Sequence, residues 1–281
     1  MKKILSVLTV LLLLFALASC GDGNQTSEPS ATESYSEGVQ TTEAEVIPDI
    51  SGETEPAVSE ITESVTAESS TAADAAADPS QWTNEEIIEF YKKAAEKSNP
   101  TAKSSQIMVL NKLIINNGEG ALGFFTKILE PAIRSVVKKN ALEFDGITGG
   151  FHNLTVSDTK SVKAYKSGEY TIVEMTLKNQ TDDIHANEYE GSVGHAITVL
   201  GDISKVIAEF PQFDVDLSKA DIAVNYVNAS LKVKINKNGI IEKGTWQYTC
   251  DPDISNVSIS GIMVKTADAE IDYIITVGGG F

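Results

Sequence analysis

Lysine and arginine are missing altogether from residues 21 to 80, a stretch that holds fourteen acidic residues from Asp22 to Asp78. The rest of the chain is far closer to balance: residues 81 to 281 carry 26 acidic against 20 basic side chains, so most of the net charge of −18 belongs to the basic-free segment. With no basic cluster and a domain charge of −6, nucleic-acid binding is disfavoured. Cysteine is nearly absent too. Only Cys20 and Cys250 occur, so no disulfide framework supports the fold and its core has to suffice. Histidine occurs three times, as His152, His185 and His195, without an HExxH pair or cysteine partners at zinc spacing. Neither a Gly-x-Ser-x-Gly elbow nor a Ser-x-x-Lys set is present. Carboxylate pairs for glycoside cleavage are set in space and leave no sequence spacing, but Trp82 and Trp246 alone are available to stack on a sugar.

What is present begins with Lys2 and Lys3, an apolar run from Ile4 to Leu17, and then Ala18-Ser19-Cys20. The run falls short of the ~20 residues that a spanning helix needs, and its three-part layout reads as an export leader. Leu17-Ala18-Ser19-Cys20 resembles the processing box of bacterial lipoproteins. That resemblance implies removal of residues 1 to 19, a diacylglyceryl thioether on Cys20, and anchorage at the outer face of the cell membrane, each buried methylene contributing about 0.8 kcal/mol. Residues 20 to 80, rich in Ser, Thr, Glu and Ala, bury too little apolar surface to offset ordering entropy and read as a disordered, self-repelling linker. Its composition also suits glycosylation or partner binding.

Residues 81 to 281 read as one α+β domain: an antiparallel sheet built from hairpins with about three helices packed on it. Thr83 and Glu86 form a capping box ahead of Ile87, Ile88, Tyr91, Ala94 and Ala95, which predicts a helix ending near Ser98. A strand, preferred to a continuation of helix, is expected over 106 to 115, a helix over 121 to 139 carrying a kink at Pro131, and a hairpin with strands at 160 to 166 and 169 to 179 about Ser167-Gly168. Helical spacing returns through Ile197, Leu200, Ile203 and Ile207, predicting a third helix over 193 to 209. Strands are then expected at 220 to 227, 231 to 236, 240 to 249, and one or two between 254 and 277. Asn238-Gly239 predicts a two-residue type I′ turn.

Two motifs invite a ligand. Gly118-Glu119-Gly120-Ala121-Leu122-Gly123 matches G-x-G-x-x-G, with Glu143 at the distance of a ribose-binding acid, but no buried parallel strand ends there, and the glycines read as a turn and helix entry. Asp251-Pro252-Asp253-Ile254-Ser255-Asn256 begins like a calcium loop, yet Asn256 stands where glycine is wanted and Ile262 where glutamate is. Asp182-Asp183 and Asp214-x-Asp216 are no better placed, and Cys250 reads as a buried small hydrophobe. No cofactor and no metal is expected.

Trp82-Thr83-Asn84-Glu85-Glu86-Ile87, Phe144-Asp145-Gly146-Ile147-Thr148-Gly149-Gly150 and Asn238-Gly239 through Trp246 resemble segments of uncharacterised lipoproteins of Gram-positive bacteria. The resemblance covers most of residues 82 to 281 and brings no activity with it. The expectation is a cell-surface lipoprotein, not an enzyme, whose domain binds a cell-envelope protein or glycan through exposed sheet or loops. An alternative is an apolar groove for lipid walled by Phe124, Phe125, Ile128, Ile133, Val137, Ile197, Leu200 and Ile203, set against the plainer expectation that these side chains fill the core. An envelope enzyme of unrecognised type is the third. Large apolar residues on both faces of the strands would favour the groove; clean alternation would favour an interaction surface.

Overall fold

The computed structural model describes residues 78–281 apart from 140, 209–210 and 212–213, and leaves out several side chains of the helix over 120–139, among them Phe125, Ile133 and Val137. The leader, Cys20 and all but the end of the linker lie outside the described residues. The elements run α1 (Asn84–Ser98), β1 (Lys103–Ile115), α2 (Gly120–Lys139), β2 (Leu142–Asp145), β3 (Thr159–Ser167), β4 (Tyr170–Leu177), β5 (Gln180–Asp182), α3 (Gly191–Gly194), α4 (Ile203–Ala208), β6 (Val215–Asp216), β7 (Asp221–Ile235), β8 (Ile241–Ile259) and β9 (Ile262–Val277), with short 3₁₀ turns between some of them. All nine strands belong to one antiparallel sheet in the order β2-β1-β9-β8-β7-β4-β3, with β5 on β7 and β6 on β8. The sheet dominates the described chain, and the helical share is smaller than expected.

Helix α1 starts where its capping box places it: the Glu86 backbone N–H donates to Thr83 Oγ1 at 3.2 Å and the Thr83 N–H to Glu86 Oε2 at 2.7 Å. Its apolar face, Ile87, Ile88, Tyr91, Ala94 and Ala95, is buried in the core. The strands beneath alternate. In β9 every odd residue from Ala267 to Val277 is buried while the even ones are partly exposed, and β7 from Ile222 to Tyr226 and from Ala229 to Ile235 follows the same period of two. Register stacks the buried set across strands, Leu231 opposite Trp246 opposite Ile275, and Tyr226 opposite Cys250 opposite Ile271. Tyr248 stacks on Tyr273 at 4.9 Å between ring centroids and meets the edge of Tyr226 at 5.4 Å.

The rim of the sheet is protected in two ways. Beyond Gln106, β1 has no strand on its outer side among the described residues; α2 packs along it, and Arg134, the only arginine in the chain, donates to the Leu110 and Asn111 carbonyls while pairing with Glu130. Those carbonyls sit at a register shift between Leu110 and Lys112, where the bulge turns acceptors outward that a guanidinium fork can satisfy. At the other rim β3 carries exposed Lys160, Lys163 and Lys166, charges that discourage edge-to-edge pairing.

Three expectations are corrected. No single helix spans 193 to 209: α3 and α4 are short, and Val193, Ala196, Ile197, Val199, Leu200 and Ile203 are all buried. A segment whose apolar residues are all enclosed needs no helical face, and its polar backbone is satisfied by side chains and a neighbouring loop: Thr198 N–H donates to Thr148 Oγ1, Val199 N–H to the Glu188 carbonyl, Leu200 N–H to Tyr226 Oη, and Gly201 bends the chain at φ +69°. The strands expected at 220 to 227 and 231 to 236 are one strand, bulged about Asn228, whose φ is +56°. The hairpin at Asn238-Gly239 is not type I′, because Gly239 alone has positive φ; Gly239 N–H donates to the Asn236 carbonyl and the Asn236 side chain receives the N–H groups of Asn238 and Ile240, a type I turn followed by a glycine bulge. The type I′ turn lies instead at Ser260-Gly261, with φ +51° and +75° between Ile259 and Ile262.

Candidate interaction face

Because β7, β8 and β9 bury one face in the core, their other face is set by the residues in between. On β8 those include Thr249, Asp251 and Asp253, and on β9 they include Asp268, Glu270 and Asp272. Register brings them together: Thr249 opposes Asp272 and Asp253 opposes Asp268. On the far side of β9, β1 contributes Lys112 opposite Glu270. Five carboxylates thus share one patch. Asp272 is held between Thr249 Oγ1 at 2.7 Å and Asn111 Nδ2 at 2.8 Å, and Lys112 Nζ reaches Asp268 Oδ2 at 2.5 Å.

Like charges facing each other across strands destabilise a sheet. The carboxyl of Asp251 is accordingly raised above the ordinary carboxylate range, first by partial desolvation and then by Asp268, Glu270 and Asp253, with Lys112 opposing. Lys112 is raised in turn, by its bond to Asp268. For an acid whose folded pKa is raised, the neutral form is the one the fold prefers, so stability falls as pH climbs through that pKa. Asp251→Asn should therefore stabilise the domain at neutral pH by about 0.5 kcal/mol, a rise in Tm of roughly 1 to 2 °C. Thermal denaturation at low and high salt checks it: the gain shrinks in high salt and near pH 3, and a lowered Tm at pH 7 would refute the repulsion.

The other candidate residues are placed as follows. Gly118 and Gly120 have φ of +76° and +66°, and a Cβ on Gly123 would meet the Gly118 backbone, so these glycines form the turn into α2. Glu143 lies in β2, which runs antiparallel to β1, whereas the dinucleotide fingerprint needs parallel strands. The calcium-like segment is extended chain inside β8. His195 Nδ1 lies 3.1 Å from Asp158 Oδ2, and Ser192 Oγ bonds the same carboxylate at 3.4 Å. His185 Nδ1 lies 3.3 Å from Ser204 Oγ, which also bonds Asp202. In the first cluster serine and histidine converge on one acid, and in the second His185 Nδ1 also lies 3.6 Å from Asp202 Oδ1, so neither is a relay in which histidine stands between acid and hydroxyl. His152 packs on Phe151 with centroids 4.2 Å apart. Cys250 is fully buried and its thiol is pushed up by burial, as expected of an unreactive core cysteine. Among the described residues no group of three or more His, Cys, Asp or Glu is placed to hold a metal ion.

Of the eight residues named for an apolar groove, Ile197, Leu200 and Ile203 are buried in the main core, whereas Phe124 and Ile128 are 60% and 56% exposed on α2. The side chains of Phe125, Ile133 and Val137 lie outside those described. The acidic patch was not anticipated, although Asp251-Pro252-Asp253 and Asp268-Ala269-Glu270-Ile271-Asp272 carry its signal, acids at every second position in neighbouring strands. Scans of protein-family profiles, curated proteins and solved structures give no match to this chain.

Proposed function

We propose that this chain is a lipoprotein of the Gram-positive cell surface, held in the membrane by diacylglyceryl-Cys20, whose domain is a non-catalytic binding module. Its contact face is the open side of β8 and β9, and the partner is a cationic protein surface or amine-bearing envelope polymer. The observation that carries this reading is the alternation along β7 and β9, buried on one side and on the other mostly polar, with Ala223, Val227 and Ile274 the apolar exceptions. A lipid-lined sheet would show large apolar side chains on both sides. Five carboxylates gathered on one face, with Asp253 directly opposite Asp268, suit contact with an oppositely charged partner, since charge complementarity speeds encounter and sets specificity.

Site-specific photo-crosslinking on intact cells tests the face. With p-benzoylphenylalanine at the position of Asp253 or Glu270, ultraviolet light should yield a discrete adduct that is lost when Asp251→Lys is added; the same probe at Ser161 on β3 should yield none. Adducts at Ser161 alone would move the contact to the opposite rim and overturn the reading. Anchorage is checked separately by feeding cells labelled palmitate. Cys20→Ser should abolish labelling and release the protein into the medium, and a labelled Cys20→Ser chain would rule the lipid anchor out.

A further inference from the structure

Helix α2 differs from the rest of the domain in charge and in what it exposes. It contains Lys127, Arg134, Lys138 and Lys139 against the single acid Glu130, a net of +3 within a domain of −6. Leu122 and Thr126 are buried, so the helix turns that side to the core. On the opposite side Phe124 and Ile128, one turn apart, are 60% and 56% exposed, and exposed Pro131 and Ser135 continue the line at helical spacing. Two more large apolar side chains lie at the end of the sheet from which α2 departs. Ile114 is 38% exposed near the end of β1, and Met263 is 46% exposed just past the β8–β9 turn. Asn116 ties that end together, its Oδ1 accepting the Lys265 and Thr266 backbone N–H groups beside the entry to α2.

We infer that the outward stripe of α2 rests on the surface of an anionic bilayer, inserting Phe124 and Ile128 among the acyl chains while exposed Lys127, between them on the helix, meets lipid phosphates. An apolar stripe on a basic helix is the pattern of interfacial binding, and each lysine near an anionic surface adds attraction. The acidic remainder of the domain favours a bilayer held at α2 rather than elsewhere. The inference rests on the membrane-anchored reading, because a single lipid-bearing cysteine supplies proximity and a second weak contact then acts at high effective concentration. Chain length permits it: the residues between Cys20 and Asp78 can span up to roughly 190 Å, against about 30 Å across the sheet.

The test uses the mature chain from residue 20 to 281 with Cys20→Ser, so that no lipid contributes, and vesicles of equimolar phosphatidylglycerol and phosphatidylcholine. The chain should co-sediment with these vesicles, bind phosphatidylcholine alone weakly, and lose roughly tenfold or more of its partitioning in the Phe124→Ser/Ile128→Ser variant. Both positions are exposed, and an unchanged thermal unfolding curve confirms that the variant is folded. Absence of binding to the anionic vesicles, or equal binding by the variant, overturns the inference. So does a wild-type chain that is dimeric by light scattering and becomes monomeric in the variant, which would assign the stripe to a second copy. Palmitate labelling reads the anchor without reference to α2, so failure here leaves that reading standing, and failure of the anchor shows in the labelling.

Discussion

Trp246→Ala should destabilise the domain by about 3 to 5 kcal/mol. The indole is fully buried at the centre of the sheet, between Leu231 on β7 and Ile275 on β9. It is held from above by α1, its Nε1 donating to Tyr91 Oη at 3.0 Å. Gly244, two residues earlier on the same strand face, leaves the space that the ring occupies, since a Cβ there would collide with the six-membered ring. Truncation at 246 therefore opens a void flanked by a residue with no side chain to fall into it. A site that cannot collapse carries the full cavity penalty. The loss is a large share of the stability of an ordinary domain, and Tm should fall by roughly 10 to 15 °C. Tyr91→Phe is the companion measurement: it keeps the ring but strands the indole N–H in the core, which costs about 1 to 3 kcal/mol. Denaturant unfolding followed by circular dichroism reads both, and a loss under 1 kcal/mol for Trp246→Ala would show that Trp246 does not hold α1 on the sheet.

Much of this architecture was legible in the chain because local chemistry and tertiary demand agree there. Thr83 and Glu86 cap a helix that also has an apolar side to bury, and Tyr170 to Met175 lie on a strand beside a turn in which Gly168 adopts φ +63°. Disagreement came where burial is total. Val193 to Ile203 has helical spacing of its apolar residues, but all of them are enclosed, so periodicity reports composition and not a face. The turn at Ser260-Gly261 was passed over because serine is a weaker left-handed former than asparagine, while Asn238-Gly239 offered the favoured pair to a turn with a different register. At both turns the long β7–β8–β9 meander set the geometry and the local residues complied.

The acidic patch was harder to see for a related reason. Asp251 and Asp253 are separated by fifteen or more residues from Asp268, Glu270 and Asp272, and only the position of the hairpin turn decides that they face one another. Shifting the strands by a single residue would place the acids of one against the buried positions of the other. Reading Asp251-Pro252-Asp253 as the start of a loop hid the alternation. Pro252 is itself unusual inside a central strand, and between Cys250 and Asp253 the β8–β9 ladder has no bridged pair, the gap expected where the ring removes an N–H.

Gly149→Ala should be nearly as damaging as the loss of the tryptophan, although it adds a single methyl group. The segment Phe144 to Gly150 fastens to Gly194–Thr198 through backbone contact: Gly150 N–H donates to the Gly194 carbonyl at 2.8 Å, Gly149 N–H to Thr198 Oγ1 at 3.1 Å, and Thr148 Oγ1 bonds Thr198 Oγ1 at 3.1 Å. At Gly149 φ is +83°, and a Cβ would stand 2.5 Å from the Ala196 carbonyl oxygen and 2.6 Å from the Ile197 nitrogen. Both obstacles are backbone, which cannot swing aside as a side chain tip can. The conformational penalty of a left-handed alanine is about 1 to 2 kcal/mol, and forcing the two segments apart adds roughly 1 to 3 kcal/mol. Gly168→Ala separates these terms. Gly168 also has positive φ, +63°, but nothing lies within 4 Å of its Cβ position, so alanine there should cost only the conformational part. Measured side by side in urea, Gly149→Ala should exceed Gly168→Ala by at least about 1 kcal/mol. Equal losses would mean that the two segments do not meet as closely as their hydrogen bonds require.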